Sequence, residues 1–318
     1  MRYDDFVPPT SRPGPRRRPV FAAVALAGVC LTSTGCGGGD GGTLPDDAEA
    51  GAARPSAPAS PGTPSPKPSA PEATSPSAAS TSAKPKPKPK PPARGPLTGR
   101  TVVIDPGHNP GNRDHTREIN AQVAIGTGRK ECDTTGTATD AGYAEALFTL
   151  DVSRRLRTLL EEEGAKVVLT QDGDRPFGPC VDERARIGNA AGADAVVSVH
   201  ADGSATGNRG FHVILPTAVS AGGADTTKIV APSRELGERI AGKFVRATGS
   251  APSNYIGGDT GLDTRDDLGG LNLSTVPKVF IECGNMRDPQ DAALLTSASW
   301  RQKAALGIAE GINSYLMR

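Results

Sequence analysis

The sequence predicts an α/β protein, with parallel strands buried under helices on both faces, preceded by a disordered tail. Three observations carry this reading. β-favouring apolar runs alternate with segments of helical period from residue 98 onward. Residues 37–97 are almost wholly Gly, Ala, Pro, Ser, Thr, Lys, Asp and Glu, with no aromatic residue and Leu44 as the one large aliphatic before Leu97. Such a segment cannot bury enough apolar surface to offset the entropy of ordering it. The stretch 98–318 is long enough to form one domain with a real core.

Residues 1–36 read as an export signal. Arg16, Arg17 and Arg18 precede an apolar run from Val20 to Leu31, followed by the small residues of "TSTGC" at 32–36. The run is shorter than the ~20 residues a transmembrane helix needs. The residues before Cys36 resemble a bacterial lipobox, which would make Cys36 a lipidation site and the membrane a partner. Ser33 stands where such motifs usually carry Leu, so plain secretion and an uncleaved anchor remain open. Residues 37–97 then act as a tether, with polyproline II character in "KPKPKPKPP" at 84–92.

In the folded domain, residues 101–105 form a strand. Residues 143–163 form a helix whose apolar face is Phe148, Val152, Leu156 and Leu159 or Leu160, ended by Gly164. Residues 166–170 are a second strand, 181–191 a second helix, and 194–199 a third strand ending at His200. Strands follow at 210–215 and 278–282, separated by an amphipathic helix at 232–248. Helices at 289–297 and 299–316 close the chain. Ligands in open α/β sheets collect beyond the carboxyl ends of the strands. His108, just past the first strand, and His200, at the end of the third, therefore share one sheet edge.

Glu145 lies on the sheet-facing side of its helix, three positions before Phe148 and seven before Val152. A buried carboxylate needs a charge partner, hydrogen bonds or a metal. Complementing the helix dipole is the plainer role for it. Two imidazoles and a carboxylate are a zinc donor set that leaves a position for water. Glu282, ending its strand, is placed to act on that water. The chain has no HExxH segment, so the helix-borne zinc arrangement is excluded. Asp105 either hydrogen-bonds the second nitrogen of a ligand histidine or closes the turn after its strand. His212, in "GFHVIL", reads as structural or solvent-facing rather than as a ligand. His115, in a polar loop, is a weaker contender for the cleft wall. Of the cysteines, Cys132 and Cys180 lie in Gly-rich loops and are expected to pair, while Cys283 follows a buried strand and reads as an inert core thiol.

The blocks "VVIDPGHNPG", "GYAEALFTLDVSRRLRTLLEEEGAKVVLTQ", "DERARIGNAAGADAVVSVHADG", "GFHVILP" and "KVFIECGNMRDPQDAALL" occur in this order. Together they closely resemble the type 3 class of zinc-dependent N-acetylmuramoyl-L-alanine amidases, over about residues 100–316. Actinobacterial members with a Cys before the Glu-bearing helix and another in "GPCVDER" are the most similar. The resemblance implies a mixed, largely parallel sheet flanked by helices. It implies one Zn2+ per chain on His108, Glu145 and His200, with Glu282 as the catalytic residue. It also implies peptidoglycan as substrate, cut between N-acetylmuramic acid and the L-alanine of the stem peptide. Asp202 departs from the Asn common in the family, and Cys283 from a Leu or other small apolar residue. Arg184 and Asn189 match a family helix as packing and capping elements.

Net charge is +1, so no global basic field points to nucleic acid. An exported monomer at the membrane face or in the wall is expected. A silent wall-binding protein of the same fold would have lost a ligand or the glutamate, and all four positions are filled. A zinc peptidase acting within the stem peptide would be told apart by its products. A Cys–His hydrolase using Cys283 lacks an electropositive site for the thiolate.

Overall fold

The computed structural model describes residues 95–318. The signal segment, the lipobox-like Cys36 and the tether up to residue 94 lie outside the described residues. The folded unit starts before the predicted boundary at 98. Leu97 is fully buried, and its N–H donates to the Glu163 carbonyl at 2.9 Å. One apolar side chain at the edge of a polar run gives too little signal to be assigned to a core.

Six strands form one sheet. They are β1 (Thr101–Pro106), β2 (Lys166–Leu169), β3 (Ala195–Asp202), β4 (His212–Pro216), β5 (Leu262–Arg265) and β6 (Lys278–Asn285), in the spatial order β2-β1-β3-β6-β4-β5. β2, β1, β3 and β6 run parallel. β4 is antiparallel to β6, and β5 is parallel to β4. The sheet is thus mixed and largely parallel. The principal helices are α1 (Glu145–Glu162), α2 (Val181–Ala190), α3 (Val230–Thr248), α4 (Pro289–Leu295) and α5 (Ala298–Leu316). α3 starts two residues earlier than predicted, which leaves Pro232 in the first turn, where its missing N–H has no intrahelical partner to lose.

β5 and the short helix Gly269–Asn272 were not anticipated. Four residues, "LDTR", with one large apolar side chain carry no periodic signal. The same holds for the hairpin of Gln122–Ala124 and Arg129–Glu131. No helix among the described residues is long and apolar enough to cross a membrane.

The two sheet faces differ. One presents Val102, Ile104, Val197, Val199, Val279, Ile281, Val213 and Leu215 to α1, α3 and α5 and forms the main core. The predicted face of α1 is buried there, through Phe148, Val152, Leu156 and Leu160. The other face has a small apolar patch under α2, of Val103, Val196 and Ile187. Beyond that patch its inward positions are mostly polar, with the apolar Phe280 and Ile214 among them. Asp105, Ser198 and Lys278 form one group, each nearly fully buried. His200, Glu282 and His212 form a row across three neighbouring strands, because His200 and His212 are both in register with Glu282. The two ends of the folded chain meet at the opposite sheet edge, where Arg100 Nη2 donates to the Leu316 carbonyl at 3.3 Å.

Candidate active site

β1 ends in Asp105-Pro106-Gly107-His108, and the turn there is set by crowding. A Cβ on Gly107 would lie 2.3–2.6 Å from three atoms of the His200 ring, so only glycine fits beside that imidazole. His108 adopts φ 60°, a left-handed conformation uncommon outside glycine. Gly136 (φ 71°) is crowded in the same way, by the Glu145 carboxylate and the His108 ring.

Glu145, the first residue of α1, is 4% exposed and makes no capping bond to its own helix. Its carboxylate instead lies between two imidazoles. Oε2 is 3.1 Å from His108 Nε2, and Oε1 is 3.0 Å from His200 Nδ1. The N–H groups of Thr137 (2.9 Å) and Ala201 (3.2 Å) also donate to it. The two rings meet edge to face at 5.0 Å, and His200 stacks on Phe280. One donor atom from each of His108, Glu145 and His200 lies within 4.8 Å of the others, an arrangement able to hold a metal ion. Two neutral imidazoles and a carboxylate are the donor set that zinc takes, so residues and ion fit.

The His108 tautomer is fixed by its other nitrogen. Nδ1 is 3.1 Å from the Thr134 carbonyl, which can only accept, so in the neutral ring Nδ1 carries the hydrogen and Nε2 is the nitrogen left to bind a metal. Burial opposes a charge on His108, but the Glu145 and Asp133 carboxylates outweigh it and lift the metal-free pKa to about 10. Glu145 is pushed up by burial yet held below the usual carboxylate range by His108 and His200.

Glu282 lies within β6, which continues to Asn285, rather than at its end. It lines a cleft of about 490 Å³ with His108, Glu145, His200, Asp202 and Arg265. Its Oε2 is buried without a hydrogen-bond partner. Burial, with Glu145 and Asp202 adding to it, raises its pKa well above the ordinary value. A carboxyl whose pKa is raised by burial in a cleft, beside other carboxylates, is a candidate proton-transfer group.

Several supporting residues differ from the sequence reading. Asp105 contacts no histidine and closes no turn. It accepts from Arg184 (2.8 Å), Lys278 (3.1 Å), Thr170 (2.7 Å) and Ser198 (2.9 Å) in a buried hub. Arg184 is more than a packing element, because its five N–H groups are all used. They reach the carbonyls of Pro179, Pro106 and His108 and the carboxylates of Asp105 and Asp133. Arg184 thereby ties the His108 turn to the loop that fixes the His108 ring. Asn189 joins the Leu273 carbonyl and the Thr275 N–H and does not cap its helix. His115 packs on Phe177 and pairs with Glu118, away from the cleft around Glu282. Asp202 accepts from the Tyr255 hydroxyl at 2.6 Å. Cys132 and Cys180 are disulfide-bonded, and Cys283 is a buried free thiol. Asp133 and Thr134 were not singled out in the sequence. Their adjacency to Cys132, which pins the loop, is the one signal that could have marked them.

Fold and site define a class: a helix-flanked mixed sheet bearing a His–Glu–His cluster beside a buried carboxylate. The profile of the N-acetylmuramoyl-L-alanine amidase family matches residues 102–314, and the chain belongs to that family. It is 41% identical over 225 residues to N-acetylmuramoyl-L-alanine amidase Rv3717 of Mycobacterium tuberculosis, covering 69% of this chain and 88% of the relative. Among solved structures it resembles Ami1 of Mycobacterium smegmatis, with TM-score 0.63 and 40% identity over 69% of this chain and 98% of that one. It also resembles the apo form of Ami1 of Mycobacterium abscessus, with TM-score 0.63 and 42% identity over 69% and 100%.

Proposed function

We propose that this chain is a zinc hydrolase of peptidoglycan that cleaves the amide between N-acetylmuramic acid and the L-alanine of the stem peptide. The observation that carries this reading is the His108–Glu145–His200 cluster in one cleft with the unpartnered carboxyl of Glu282. Zinc, when bound by those three side chains, supplies Lewis acidity to the scissile carbonyl and makes water a competent attacker at neutral pH. Glu282 takes the proton from the attacking water and delivers it to the amide nitrogen, which leaves poorly until protonated. Thr134 and Asp133 keep the His108 ring oriented, and Gly107 leaves room for His200. The protein acts as an exported monomer, with Cys36 as its lipid anchor and residues 37–94 as spacer.

Purified wall is digested with the zinc-loaded protein, and the products are read by mass spectrometry. Free lactyl groups and stem peptides beginning with L-alanine are expected. Cuts within the stem peptide would replace this reading with a zinc peptidase. Glu282→Gln should keep zinc near one per chain and lose about 10²-fold or more in rate, the usual scale of general acid–base catalysis. His108→Ala and His200→Ala should lose zinc and activity together. A Glu282→Gln protein with normal turnover, or one that sheds zinc, removes the acid–base role. For the anchor, Cys36→Ser should move the protein from membrane to medium or leave a precursor. Unchanged mass and partition would exclude Cys36.

A further inference from the structure

We propose that Arg265 is a specificity-determining residue, whose guanidinium takes a carboxylate that the stem peptide carries about two or three residues beyond the scissile amide. The inference rests on the amidase reading above and adds the charge that this cleft selects.

Three observations carry it. Among the described residues, Arg265 is the one Lys or Arg side chain that lines the cleft of the His108–Glu145–His200 cluster. Glu145, Glu282 and Asp202 line the same cleft. These carboxylates repel an anion, so away from the metal position Arg265 is the place where an anionic group finds a partner.

The guanidinium is also held in place with part of it left over. Nε and Nη2 donate to Asp267 at 2.7 Å each, and Lys130 Nζ donates to the same carboxylate at 2.8 Å. Nη1 makes no hydrogen bond among the described residues, and the side chain is 39% exposed, so a ligand can reach it. Asp263 lies two positions earlier on the same face of β5. Two cations and two carboxylates leave this group near neutral. Recognition therefore acts through fixed N–H donors at short range and not through a long-range field. The guanidinium fork matches a carboxylate, and a carboxamide would turn its own N–H donors toward it. N-acetylated sugars offer amides and hydroxyls, so the free carboxylates of the substrate belong to its peptide.

The third observation is distance. Arg265 is in register with Pro216 at the end of β4, and His212 at the start of β4 is in register with Glu282. The backbones at Arg265 and Glu282 thus stand about 13 Å apart along the strands and about 10 Å apart across two strand spacings. The Arg265 side chain covers part of that gap, since it lines the cleft with Glu282. Ile214 and Phe280, paired across β4 and β6, form an apolar floor between the two ends. An extended peptide advances about 3.3–3.6 Å per residue, so the remaining span matches two or three residues.

The test uses the zinc-loaded protein and soluble muropeptides whose stem peptide bears carboxyls at its second and third residues. Three matched forms are compared: both carboxyls free, the second amidated, and the third amidated. Rates and KM are measured for the unaltered protein, Arg265→Gln and Arg265→Lys. We expect one of the two amidations to lower kcat/KM of the unaltered protein by about ten-fold or more, mainly through KM, the usual scale of a hydrogen bond to a charged group. Arg265→Gln should no longer distinguish the free from the amidated form. Arg265→Lys, which keeps the charge without the fork, should fall between. If Arg265 serves only to hold Asp267, the loss is equal on every substrate and the preference for the free carboxyl survives in Arg265→Gln, which overturns the proposal. Equal kcat/KM of the unaltered protein on all three forms also overturns it, and that measurement needs no variant to fold. Failure to release stem peptide from any form would sink the amidase reading and this inference with it, whereas equal cleavage of all three sinks this inference alone.

Discussion

At Gly107 the absence of a side chain is the functional property. The missing Cβ is the space that the His200 ring occupies. Gly107→Ala must displace that ring or bend the β1 turn, and overpacking of this kind costs about 1–3 kcal/mol. We expect Gly107→Ala to fold, to hold zinc more weakly than the unaltered protein, and to lose at least about ten-fold in rate. Chelator competition and muropeptide release measure the two effects, and unchanged zinc affinity would show that His200 tolerates the methyl group. The sequence made His108, Glu145, His200 and Glu282 visible because each follows an apolar run of β-favouring residues or lies on a helix face whose period is readable. It did not reveal Asp105 as a hub. Its partners Thr170, Arg184, Ser198 and Lys278 come from four separate segments. An aspartate before Pro-Gly looks the same whether it closes a turn or receives two cations.

Among the elements, the segment from Cys132 to Cys180 is the one that depends most on a covalent link. It contains the loop that orients His108, all of α1 and β2, and the disulfide closes it with a sequence separation of 48. In the chain-entropy model a loop of that length contributes roughly 4 kcal/mol, which for a domain this size is on the order of 10 °C in Tm. Paired Cys132→Ser and Cys180→Ser, or reduction of the native protein, should lower Tm toward that extent and weaken zinc retention through Asp133 and Thr134. Calorimetry with and without reductant checks it, and an unchanged Tm would mean the loop is held by its backbone bonds alone. One such bond is visible, from Val181 N–H to the Cys132 carbonyl at 2.7 Å. The long helices and the parallel strands were legible because each repeats its period several times. β5 was not, since its four residues owe their conformation to the β4 edge they pair with and not to local preference.

Across the whole molecule, the buried charges set how the fold responds to acid. Burial alone would raise the Asp105 pKa, but Lys278 and Arg184 outweigh it and hold the carboxyl well below the usual range. An unfolded chain takes up this proton near pH 3.9. The stability contributed by Asp105 is therefore fully present above that pH and is lost as the pH falls from there toward the depressed folded value. Asp105→Asn leaves two buried cations short of a partner and should cost about 3–5 kcal/mol at neutral pH. The gap between the two proteins should narrow as the pH drops below about 4. Urea unfolding at a series of pH values reads this directly, and a constant gap would contradict it.

The meeting of the two chain ends beside Arg100 and Leu316 bears on how the domain can be handled. The amino end enters next to the start of β1 and the carboxyl end finishes α5 beside it, both at the pole opposite the edge where His108 and His200 lie. A fusion partner, a surface linkage or a pulling force applied at either end engages the back of the domain and leaves the mouth of the cleft facing away.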